Sequence, residues 1–187
     1  MIGKQSWTCL YFLLFFTVQE RCDACAWINS QYKVISNFCL SLLREMDGEI
    51  SDTTTVKIKF PHFAYDEADK AKAEDKVRFL AEATEQIIIL FDAVSRVDEV
   101  KWDSRALEDF LNILSSRQLT ELKKCTATYA ERAGRSSSER KLRKHFRKLK
   151  KILKKAKYSA DSLEQIRNLV QQHLWRMGII ADNVKQK

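Results

Sequence analysis

Only four glycines and one proline occur among 187 residues. Sandwiches, barrels and phosphate-cradling loops need many tight turns, and those turns draw on the positive φ of glycine and the fixed φ of proline. Their scarcity points to an all-α fold. At 45% hydrophobic residues the chain can bury one substantial core.

Five segments carry the 3.6-residue beat of an amphipathic helix. Ile28, Ile35, Cys39, Leu42 and Met46 line the first, which ends near Gly48. Val77, Leu80, Thr84, Ile87, Phe91 and Val94 line the second, and Leu107, Leu111, Leu114, Gln118, Leu122 and Cys125 the third, with Asp103 or Ser104 as N-cap. The fourth places Leu142, Phe146, Leu149, Leu153 and Ala156 on one face and opens with Ser136-x-x-Glu139, a capping box. The fifth aligns Leu163, Ile166, Val170, Leu174 and Met177 after an N-cap at Ser159, with Asp161 well placed in the first turn.

The segment GEISDTTTVKIKFPHFAYDEADKAKA joins the first two helices. Its TVKIKF piece looks strand-like, but a lone strand leaves its backbone groups unpaired, so the whole segment reads as a crossover loop. A return along a 20-residue helix covers about 30 Å, and the loop is long enough to allow it. The first two helices can then run parallel. The later, shorter connections make neighbours antiparallel, giving the order up, up, down, up, down.

Lys4 followed by the apolar run from Trp7 to Val18 has the length of a secretory signal and is too short to span a bilayer. Cleavage after Ala24 would give a signal peptide at 1–24 and a helical domain at 25–187. The product would be exported, with no stable membrane insertion, since no later segment is long and apolar enough. Of the five cysteines, Cys9 and Cys22 would leave with the signal. Cys22-x-x-Cys25 lacks a second such pair and a βαβ context, which removes the zinc and redox readings. Cys39 falls on an apolar stripe, as a buried free thiol does. That leaves Cys25 to pair with Cys125, and the proposed topology brings both to the same end of the bundle. Cleavage further upstream would retain Cys22 as an alternative partner.

The net charge of +8 is concentrated: ERKLRKHFRKLKKILKKAK, residues 139–157, holds eleven basic residues and one acidic one. Its apolar seam belongs to a packed helix rather than a flexible nucleic-acid arm, and it lacks interleaved aromatics for base stacking. Three readings stay open: a solvated bundle face, a surface steering an acidic receptor or a glycosaminoglycan, and a membrane-active peptide.

Nothing in the chain gathers the residues of a catalyst or cofactor site. His62, His145 and His173 are scattered, and no H-E-x-x-H, G-x-S-x-G or Walker-type loop occurs. The adjacent carboxylates Glu74 and Asp75, and Glu108 and Asp109, read as solvated helix residues. Trp102 and Trp175 read as core or seam, and no N-glycosylation sequon is present.

Several stretches, in order, resemble type I interferons, in particular the two-cysteine group of bony fish. KWDSRALEDFLNILSSRQLTELKKC, ending at Cys125, is similar to the family's third helix. EQIIILF resembles the end of its second helix and KFP part of its first crossover. LRKHF and KYSADSLEQIR resemble motifs of its fourth and last helices. The resemblance implies an interferon-like helical cytokine bundle with a Cys25–Cys125 bridge. A second bridge found in many interferons is absent here, because its last-helix position holds Asp161.

The resemblance also implies an antiviral cytokine that bridges two class II cytokine receptor chains and signals through JAK–STAT. Arg143, with Lys144 and Arg147 beside it, would face one receptor chain, and Arg167 the other. Gln171 and Gln172 depart from the mammalian pattern, so contacts there are expected to be rearranged. The rival expectations are a cationic host-defence protein acting on membranes through residues 139–157, and a helical cytokine for another receptor pair.

Overall fold

The structure, a computed structural model, describes residues 25–46, 58–97, 100–131 and 134–184. The proposed signal at 1–24 and much of the TVKIKF piece lie outside them. The described residues form helices and connecting turns, with no strand among them.

A helical stretch at 25–30 leads into α1, Tyr32–Glu45. α2 spans His62–Asp69 and α3 spans Ala73–Ser95. α4, Ser104–Ile113, passes through a π-helical segment, Leu114–Leu119, into α5, Thr120–Ala127. α6 is Ser137–Lys155 and α7 is Ala160–Asp182.

Three of the predicted caps form as read. Asp103 accepts from the Ala106 amide at 2.7 Å. Ser136 and Glu139 close a reciprocal capping box on α6. Ser159 accepts from the Ser162 amide at the start of α7. Each satisfies a backbone donor that the first helical turn would otherwise leave unpaired.

Long-range polar contacts fix the helix directions. The Lys76 ammonium near the start of α3 meets the Asn183 carbonyl just past α7. Arg167 near the start of α7 meets the Leu43 carbonyl near the end of α1. Both pairs are antiparallel, so α1 and α3 run the same way. Gln118 bonds Thr84, while Phe110 packs on Phe91, so the α4–α5 rod runs against α3. Arg143 pairs with Glu82, and Lys150 faces Asp92, so α6 runs with α3. The order is up, up, down, up, down for the five long elements, as the loop lengths predicted.

Two elements depart from the sequence reading. The crossover is not wholly a loop, because α2 lies within it. Its inward side is Ala64, Tyr65 and Ala68, all buried, and two alanines make too faint a stripe to stand out in a sequence scan. The third helix is also not uniform. Leu114, Gln118 and Leu122 follow one another at steps of four, which drifts by about 80° round an ideal α-helix. The wider π turn absorbs that drift, and all three side chains are buried.

The core is continuous across α1 to α7. Cys39 is buried as a free thiol, and burial pushes its pKa up to about 12. Trp102 is buried and stacks on Phe91 with ring centroids 5.5 Å apart. Trp175 corrects the core expectation: it stands 62% exposed on α7.

Candidate functional site

Cys25 and Cys125 are joined in a disulfide, with Cα atoms 4.8 Å apart. The bond ties the chain entering α1 to the end of α5. At the other end of α1, the Asp103 amide donates to the Met46 carbonyl at 2.9 Å. The Arg167 guanidinium donates to the Leu43 carbonyl at 2.6 Å and forks onto Glu164 at 2.7 and 2.8 Å. Arg167 is therefore closed inside the molecule, its side chain 11% exposed.

A second charged cluster joins α3 to α6. Glu82 is buried between Arg143 and Arg135, the latter at 3.1 Å, and also accepts from Gln86 at 3.0 Å. Glu85 pairs with Lys123 at 3.1 Å and lies 3.9 Å from Arg143. A 380 Å³ groove runs past Glu82, Glu85, Lys123 and Arg135. Arg143 is thus half internal, whereas Lys144 and Arg147, one and four residues on, are exposed. The structure brings these three together on α6 and places Arg167 apart, on α7 beside α1.

On the other side, α1 turns apolar residues outward. Val34 is 62% and Phe38 50% exposed, one helical turn apart. A 640 Å³ groove lined by Trp27, Val34, Phe38, Ile113 and Arg117 lies along one flank of α1. A smaller one, with Asn37, Leu40 and Trp175, lies along the other. α1 and α6 do not touch; α7 packs against both. The molecule thus carries two unlike faces on separate helices, one cationic and one apolar. Phe63 on α2 is exposed as well, beside a 680 Å³ hollow walled by Phe60, Pro61 and Lys141. Sequence reasoning missed the apolar face, because Val34 and Phe38 sit one turn apart on a helix whose buried stripe was counted first.

The histidines also assemble in a way their spacing hides. His173 is fully buried, its Nε2 3.3 Å from His145 Nε2 and its Nδ1 2.6 Å from the Tyr65 hydroxyl. Phe60 and Phe146 pack on the His173 ring. Burial, reinforced by Lys148, lowers the His145 pKa to about 4, and burial holds His173 well below its usual range. Both rings are neutral at physiological pH, which suits a packed polar core cluster. The signal was available, since His173 falls between Val170 and Met177 on the buried face of α7. Among the described residues, no three His, Cys, Asp or Glu side chains gather to hold a metal. No helix among them is long and apolar enough to cross a membrane.

The model of the interferon alpha/beta domain matches residues 28–183. The chain belongs to the interferon family. It is 40% identical to interferon a3 of Oncorhynchus mykiss over 182 residues, which are 97% of this chain and 98% of that one. Its fold superposes on zebrafish interferon 1 with a TM-score of 0.77 and 45% identity, covering 86% of this chain and 100% of the other. These likenesses make it a type I interferon cytokine of the bony-fish kind, with the helical cytokine fold.

Proposed function

We propose that this interferon is secreted after removal of residues 1–24 and acts by joining two different class II cytokine receptor chains, starting JAK–STAT signalling and antiviral gene induction. The observation that carries the reading is the pair of unlike faces on helices that do not touch. A rigid body with one cationic and one apolar face suits two different partners held at once.

Arg143, Lys144 and Arg147 form the cationic contact. Exposed charges there steer an acidic receptor surface and set its register. Val34, Phe38 and Trp175 form the other contact, since exposed aromatic and apolar side chains beside grooves are the usual anchors of an interface. Arg167 serves that second contact by holding the end of α1 in place. The membrane-acting alternative loses support from α6 itself, whose Leu142, Phe146, Leu149 and Leu153 are spent in the core.

Purified residues 25–187 applied to receptor-bearing cells should induce antiviral genes at low concentration. Silence in such cells, with the folded protein verified by circular dichroism, would overturn the reading. Separate reversals on each face should each abolish assembly of the ternary complex while sparing binding of the other receptor ectodomain.

A further inference from the structure

The cations of α6 divide into two populations. Near its start, Lys141 pairs with Glu67 at 2.7 Å and Arg143 with Glu82, while Arg140 donates to the Arg135 carbonyl. Further along, Lys144, Arg147, Lys148, Lys151, Lys154 and Lys155 are all exposed, and none of their side chains makes a hydrogen bond or ion pair with another described residue. At 100° per residue they fall within an arc of about 120°, centred opposite the buried seam of Leu142, Phe146, Leu149 and Leu153. From Lys144 to Lys155 the ridge is about 16 Å long.

Folding explains little of this. Lys154 and Lys155 offset the dipole at the end of α6. Lys148 and Lys151 lie before that turn and support nothing. Instead they crowd: Lys151 has Lys148 three residues before it and Lys155 four after, and like charges at these spacings repel. Lys150, partly covered beside them, has its pKa lowered by burial and by Lys154, opposed by Asp92. Such a ridge is destabilising alone and is relieved by a polyanion laid along it.

We infer that the distal ridge of α6, formed by Lys148, Lys151, Lys154 and Lys155, binds a linear sulfated polysaccharide and thereby retains the cytokine near cell surfaces and matrix. Among the described residues the exposed large apolar side chains, Val34, Phe38, Phe63, Ile89 and Trp175, all lie off α6. The ridge therefore has nothing to insert into a lipid interface and no ring on which a base could stack. What it offers is a row of flexible point charges, which fits closely spaced sulfates in water. The inference goes beyond the receptor reading and uses different residues from it.

The test is affinity for immobilised heparin across a salt gradient, using the folded 25–187 protein. The triple variant K148Q/K151Q/K155Q should lose about tenfold or more in affinity and show a shallower salt dependence, since each bound cation releases counterions. K33Q/K70Q/K72Q removes as many exposed positive charges elsewhere and should bind nearly as the parent does. Equal loss in both variants would reduce the effect to net charge and overturn the inference. So would equal binding to desulfated heparin, or equal binding to vesicles containing phosphatidylserine. In cells stripped of sulfated glycans the K148Q/K151Q/K155Q protein should signal with undiminished potency. A parallel loss there would reassign the ridge to the receptor contact. Preserved signalling with unchanged heparin binding would also overturn it, while leaving the receptor reading intact.

Discussion

Tyr65 and His173 lie 108 positions apart in sequence, yet the tyrosine hydroxyl and the histidine Nδ1 share a 2.6 Å hydrogen bond in the core. This contact pins α2 onto α7, and His145 extends it to α6. Replacing Tyr65 by Phe keeps the ring but leaves a buried imidazole nitrogen without its partner. Equilibrium urea denaturation should show a loss of about 1–3 kcal/mol.

The same cluster sets an acid limit. Both histidines have folded-state pKa values below the ordinary value of 6.5, so the unfolded chain binds protons more readily than the folded one. Their contribution is intact above about pH 6.5 and is lost as the pH falls toward about 4, where His145 titrates. Glu67, held below the usual carboxylate range chiefly by its hydrogen bond from Lys141, adds a loss of the same sign at lower pH. Denaturation midpoints should therefore decline across this window. Replacing His145 by Gln should flatten the decline, and a slope unchanged by that substitution would contradict the assignment.

The disulfide closes a loop with a sequence separation of 100. A bridge over such a span contributes about 4–5 kcal/mol in the chain-entropy account, and removing one from a small exported domain commonly costs about 2–5 kcal/mol. The double variant Cys25→Ser with Cys125→Ser should fall within that range by chemical denaturation. Cys39→Ala leaves the bridge alone and should cost much less.

Arg167→Ala removes a fork onto Glu164 and a bond to the Leu43 carbonyl, both largely screened from water. A loss of about 1–3 kcal/mol in thermal or urea unfolding is expected. Arg167→Lys should recover little of it, because an ammonium cannot make the planar two-pronged contact.

Lys144→Glu combined with Arg147→Glu changes two exposed cations without a partner to strand. Folding stability should shift by no more than about 0.5 kcal/mol. Signalling potency should drop by roughly tenfold, equivalent to about 1.4 kcal/mol of receptor binding. Arg143→Ala differs, since it unpairs the buried Glu82 and should reduce stability and potency together.

Much of this molecule is legible from its apolar spacing, because burial is what spacing reports. Val77, Leu80, Ile87, Phe91 and Val94 were read as one stripe, and each is buried. Two polar residues on the stripes, Thr84 and Gln118, meet at 3.0 Å across the rods that carry them. What escaped depends on other forces. α2 is held by aromatic and polar contacts around His173 and by surface pairs such as Arg176 with Asp66, none of which has a period along the chain. The inward contacts of Arg167 were hidden for a related reason: an arginine at the start of a helix looks the same in sequence whether it faces solvent or a neighbouring carbonyl. Exposed apolar faces are hardest of all, since Val34 and Phe38 resemble core residues until the core is assembled without them.

α1 is fastened at its beginning by a covalent bond and at its finish by two backbone-directed bonds, those of Asp103 and Arg167. A rod anchored at both tips cannot swing or fray, so Val34 and Phe38 meet any visitor already in position. Little ordering entropy is then lost on encounter, and a modest patch can hold its partner longer than its area alone suggests.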